Sequence, residues 1–171
     1  MSTPTTQLPL FYAGAHVGHA LVDRDLGERL SPKWLWGLEI PRALRALHPE
    51  RPDIIAARLT SEPDTLARCH PFLQYRGLVI RLSHLALRPT LVDPLLSLSG
   101  SPYDRALKLQ LRAGLSSVLR VSFVNRSRVD CRVSNLREVS VSVDDAEPHT
   151  LDATHPSTIE VTFLDLKEFL K

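Results

Sequence analysis

Apolar positions along this chain recur in short bursts rather than long stripes. "FYAGAHVGHALV" (11–22) reads as one or two strands bent at glycines, since glycine is the residue that turns a chain sharply. "DRDLGERLSPKWLW" places Leu26 and Leu30 one helical turn apart, and Trp34 and Leu35 then read as an apolar anchor. A short helix is predicted from Pro41 to Leu47, with a loop after it punctuated by Pro49 and Pro52. "RGLVIRLSHLAL" carries Leu78, Val79, Ile80 and Leu82 and predicts a strand. The best helix is "SPYDRALKLQLRAGL": Ser101 can cap it, Pro102 suits its first position and Gly114 can end it. Its Ala106, Leu107, Leu109 and Leu111 leave open which face is buried. "VSVSV" alternates strictly from Val139 to Val143, as a half-buried strand does, and "TIEVTF" (158–163) repeats the pattern before a closing short helix, "DLKEFL". The fold class is therefore α+β. The Thr-, Ser- and Pro-rich residues 1–10 are expected to be a flexible N-terminus and 11–171 one domain.

A chain of 171 residues can bury a core of ordinary size, and 43% hydrophobic with 23% charged residues is the composition of a globular protein. No apolar run approaches the ~20 residues of a bilayer span. "MSTPTTQLPL" lacks the basic start and apolar stretch of a secretory signal, so a cytoplasmic location is expected. Two cysteines, Cys69 and Cys131, without CxxC spacing argue against a disulfide framework or a cysteine-based zinc site. His16 and His19 form HxxH, and His70 follows Cys69; these pairs could make a zinc site only if they met in space. His84 lies within an apolar run and reads as a core histidine, while Asp144, Asp145, Glu147 and His149 read as an acidic surface loop.

Charge changes the picture more than composition does. Residues 1–137 carry 19 Lys+Arg against 11 Asp+Glu, and residues 138–171 carry 2 against 8. A basic working surface followed by an acidic C-terminal segment is the implied arrangement. Most of the cations are arginine, whose planar fork suits phosphate. Five of them, Arg120, Arg126, Arg128, Arg132 and Arg137, crowd into or next to "VSFVNRSRVDCRVSNLREVS" (121–140) among Asn125, Asp130 and Asn135.

That stretch resembles the core of phage-type HNH homing endonucleases, whose pattern runs roughly V-D-H-I-N-G-D-x-L-D-N-R-x-x-N-L-R-x-V-T. Val121, Asn125, Asp130, Arg132, Asn135, Leu136, Arg137 and Val139 fall on matching letters without a gap. A second segment, "ALVDRDLGERLSPKW", is similar to the opening of the same proteins through Ala20, Leu21, Val22, Asp23, Leu30, Ser31, Lys33 and Trp34. The resemblance implies a ββα unit that holds one divalent metal ion beside a general-base histidine, with a central asparagine tethering the hairpin.

The same alignment puts Ser122 where the family has its metal-ligating aspartate and Phe123 where it has the histidine. A phenyl ring accepts no proton, and a neutral hydroxyl is a poor ligand for a hard cation. Asn135 keeps the central asparagine; the last ligand position falls on Asp144, at the end of a strand-like pattern. Arg126 replaces the turn glycine, so a reshaped turn is expected.

The resemblance therefore implies a degenerate HNH-like domain with additional N-terminal and C-terminal strands, of phage or mobile-element type, with no catalytic residue, metal or cofactor. The expected hairpin is Val121–Val124 against Val129–Arg132, joined through Asn125–Arg128. Asn135 bonds back to its backbone, and Arg126 and Arg128 sit at an exposed tip. Arg120, Arg126, Arg128, Arg132 and Arg137 are the expected contacts to nucleic acid, with local ion pairs to Asp130 and Glu138 the alternative role. Double-stranded DNA is the expected partner. The alternative is a protein-interaction module, such as a phage-encoded inhibitor, working through the acidic C-terminal segment.

Overall fold

The computed structural model of the protein describes residues 4–139. They form a mixed α+β structure, a five-stranded sheet with a separate two-stranded hairpin and several short helices. The sheet order is β2 (Ala15–Asp23), β1 (Thr5–Tyr12), β3 (Trp36–Glu39), β4 (His70–Tyr75) and β5 (Leu78–Arg81). All pairings are antiparallel except β1 with β3, which is parallel and spans only Leu10 and Phe11.

Part of the expected flexible terminus is strand β1. Leu8 and Leu10 turn towards the core while Thr5, Gln7 and Pro9 face out, a period of two hidden behind polar letters. Pro9 lies outside the doubly paired stretch, where a strand tolerates a residue without an N–H. Two tight turns build the sheet. Ala13 and Gly14 have φ of 52° and 80°, and Arg76 and Gly77 have 51° and 83°. Positive φ at both central residues marks the two-residue turn that follows the natural twist of a hairpin.

Helices fill the connections. α1 (Arg24–Arg29) seats Leu26, and α2 (Arg42–Leu47) begins after Pro41 as expected. Where a loop was expected, Pro52 opens α3 (Pro52–Ser61), which buries Ile55 and Leu59 on one face. Proline at a helix's first position costs nothing, since that N–H is unpaired anyway. α4 (Pro63–Leu66) follows at once. The predicted anchor, Trp34 and Leu35, precedes strand β3: Trp34 packs partly against the core and Leu35 is exposed, while the buried aromatic is Trp36, the first residue of β3.

The strand predicted over "RGLVIRLSHLAL" is half strand, half helix. β5 ends at Arg81 and α5 (Leu82–Leu87) continues. Every residue from Leu78 to Ala86 is buried, so apolar periodicity carries no information about which conformation holds. α6 (Val92–Leu96) comes next. Ser101 does cap, with its hydroxyl accepting from the Tyr103 N–H at 3.1 Å, but the cap serves a 3-10 turn at Pro102–Asp104. α7 (Arg105–Ser116) then runs through Gly114 instead of stopping there. A Cβ on Gly114 would lie 2.9 Å from a Leu91 methyl, so the glycine serves close packing, not termination. α7 buries Leu111 and Leu115 and exposes Leu109.

Strands β6 (Val121–Phe123) and β7 (Leu136–Glu138) make the separate hairpin. The expected second strand, Val129–Arg132, is instead part of a long loop, because Asp130 and Asn135 take over its backbone partners. An HNH core is not identified among the described residues: β7 ends at Glu138, Val139 of the expected Val139–Val143 strand is outside any strand, and the rest of that strand, the 158–163 strand, the closing helix and Asp144 lie outside the described residues. No described helix is long and apolar enough to cross a membrane.

Candidate functional site

The loop between β6 and β7 is held by side chains, not by a ladder. Asn135 is 5% exposed and sits at its centre. Its Oδ1 accepts from the Asn125 N–H at 2.8 Å, and its Nδ2 donates to the Asp130 carbonyl at 2.9 Å. Asn125 Nδ2 donates to Asp130 Oδ2 at 2.7 Å, and its Oδ1 accepts from the Ser127 N–H at 2.8 Å. Arg132 closes the circuit with two bonds to Asp130, Nε to Oδ1 at 2.8 Å and Nη2 to Oδ2 at 2.6 Å. Burial works to raise the Asp130 carboxyl, but the bonds from Arg132 and Asn125 outweigh it and hold it below the usual carboxylate range. Asn125, Asp130, Arg132 and Asn135 therefore form one network.

Two other segments seat this loop. Leu21 in β2 donates its N–H to Val129 at 2.9 Å and accepts from the Cys131 N–H at 2.8 Å. Asp23 Oδ2 accepts from the Val133 N–H at 3.1 Å. On the other side the Arg128 N–H donates to the Ala67 carbonyl at 2.7 Å, and Arg128 Nη1 donates to the Arg68 carbonyl at 3.0 Å. Cys131 is fully buried beneath, where burial raises its thiol above the usual range.

The five predicted arginines part company here. Arg132 is committed to Asp130. Arg137 is exposed but folds its Nη1 onto the Ser134 and Leu136 carbonyls rather than pairing with Glu138. Glu138 pairs instead with Arg88, at 2.6 Å. Arg128 is exposed but anchored on carbonyls, so it is not a free tip. Arg120 and Arg126 make no ion pair among the described residues. Arg126 is exposed and has φ of 66°. At the position where the resembling pattern has glycine, Arg126 has the left-handed backbone that glycine would favour, with arginine bearing the strain.

Ser122 and Arg137 lie opposite each other on the hairpin, and both are exposed. Phe123 packs partly against the core and meets His70 ring to ring at 5.9 Å. Burial, then the nearby Arg81 and Arg128 cations, push His70 well below the usual histidine range. Its Nδ1 is enclosed with no hydrogen-bond partner among the described residues. His84 is a buried core histidine as expected, 3.3 Å from the Ser83 hydroxyl, with burial and Arg81 pushing it down to about 4. Below both, buried Arg81 is paired with Glu39. Nothing local in the sequence foretells this cluster, because its members come from β3, β4, β5, α5 and β6.

The two candidate zinc pairs do not meet. His16 and His19 are on β2, and Cys69 and His70 are at β4, with β1 and β3 between. Among the described residues, no three His, Cys, Asp or Glu side chains are grouped to hold a metal ion. No family model, curated protein or solved structure matches the chain.

Proposed function

We propose that the chain is a degenerate HNH-like domain that binds double-stranded DNA without cutting it. The observation that carries this reading is which letters of the resemblance cohere. Asn125, Asp130, Arg132 and Asn135, four of the matching positions, are hydrogen-bonded to one another. The second resembling segment touches the first through Leu21 and Asp23. The glycine position of the pattern has a left-handed backbone at Arg126. Letters scattered by chance have no reason to converge on one loop.

What the resemblance lacks is the chemistry. Ser122 offers no carboxylate, and Phe123 offers hydrocarbon where a base would accept a proton. What remains is a rigid loop that presents guanidinium groups. Arg126 is exposed without an ion pair among the described residues, with Arg120 at the foot of the hairpin and Arg128 nearby. Contacts of this kind go to phosphate and carry little sequence information.

The test is a salt titration of binding to a random-sequence duplex. Each neutralised phosphate contributes about −0.9 to the slope of log K against log salt. Changing Arg120 and Arg126 together to Ala is expected to weaken binding about equally for all sequences and make the slope shallower by about 2. No binding at about 50 mM salt overturns the DNA reading and favours a protein partner.

A further inference from the structure

We propose that His16 and His19 form a surface site for a borderline divalent transition-metal ion, copper(II) foremost. In a regular strand, residues three apart point to opposite faces. Here the register breaks: Leu10 pairs with Gly18, but Phe11 pairs with His16, so Val17 is skipped. A bulge of this kind re-aims the side chains beyond it. Val17, Ala20 and Val22 consequently all face the core, and His16 and His19 share the solvent face.

The two imidazoles lie 4.8 Å apart, centroid to centroid, and are nearly perpendicular at 82°. Phe11 flanks His16 at 5.6 Å. Neither imidazole makes a hydrogen bond among the described residues, so their ring nitrogens remain available as donors. The tight Ala13–Gly14 turn fixes the end of the strand, which holds the pair on a stiff hairpin rather than a loop.

Neutral imidazole suits copper, nickel and zinc, whereas magnesium and calcium prefer oxygen. With no third His, Cys, Asp or Glu grouped here among the described residues, two protein donors leave the other coordination positions to water or an added ligand. Copper binds most tightly of the series at such donors. This site is independent of the DNA reading, since it lies on β1–β2 and uses none of the arginines.

The experiment titrates the full chain with copper(II) alone, followed by calorimetry and by the electron paramagnetic resonance signal of nitrogen-ligated copper. Variants His16→Gln and His19→Gln, each checked for folding by circular dichroism, are compared with a His149→Gln, His155→Gln double variant. The expected result is one equivalent bound with two nitrogen ligands. Each single variant at β2 should lose on the order of tenfold or more in affinity, excess magnesium should not compete, and the double variant should bind as the parent does. Unchanged affinity in both β2 variants, or loss confined to the double variant, overturns the assignment.

Discussion

At the scale of single residues, Asn135 and Arg126 carry opposite signs. Asn135 satisfies a backbone N–H and a backbone carbonyl that the loop cannot pair in any other way, and it is buried while doing so. Removing one partner of a buried hydrogen bond leaves the other desolvated, at about 1–3 kcal/mol for each group. Asn135→Ala is therefore expected to destabilise by roughly 2–4 kcal/mol in urea unfolding. A cost below about 0.5 kcal/mol, the size of an ordinary surface change, would mean the network does not hold the loop. Arg126 is the reverse case. A non-glycine residue at φ of 66° pays about 1 kcal/mol for its Cβ. Arg126→Gly should relieve that strain and raise stability by a few tenths to about 1 kcal/mol. On the DNA reading the same variant weakens duplex binding, so one substitution separates folding from binding. Equal binding by the parent and the glycine variant would remove Arg126 from the interface.

At the scale of elements, the sequence was legible where its signals are local. Pro41 and Arg42–Leu47 follow from propensity, and Ser101 and Pro102 mark the 3-10 turn that leads into α7. The short bursts of apolar residues did predict an α+β fold. The hairpin turns at Ala13–Gly14 and Arg76–Gly77 were harder to read, because a left-handed alanine or arginine before glycine lacks the Asn or Asp that advertises such turns. β4 went unread because "HPFLQY" has a proline at its second position and alternates only over buried Pro71 and Leu73. α5 went unread because burial on all sides erases periodicity. In the β6–β7 loop, the tether by Asn135 was legible only through the resemblance, which gives a central asparagine that role. The choice of β7 over Val129–Arg132 as partner was not, since it depends on Leu21 and on Ala67 and Arg68, which claim that part of the loop from distant positions in the chain.

At the scale of the whole molecule, two buried histidines tie the pH response to the packing: His70 in strand β4 and His84 on α5. His70 meets Phe123 of the hairpin, and His84 on α5 lies among Arg81, Arg88 and Glu138. Both are held neutral in the folded state, His84 at about 4 against an ordinary 6.5, by burial first and the Arg81 charge second. The unfolded chain therefore binds protons between pH 6.5 and 4 that the folded chain refuses. Stability must then be full above about pH 6.5 and fall as the medium is acidified towards 4. His84 alone accounts for about 2 kcal/mol of loss between pH 7.5 and 5, and His70 adds to it. The depressed carboxylates, Asp130 and Glu138 among them, act mainly in a lower window, opening at about pH 5 for Glu138 and lower for Asp130, where their unfolded forms protonate. The two windows separate the causes. Urea unfolding at half-unit steps from pH 7.5 to 3 should show the decline. The non-titrating His84→Gln should reduce it, leaving the His70 share and the steeper fall at lower pH in place. A parent profile flat from pH 7 to 5 would mean that neither imidazole is enclosed as described.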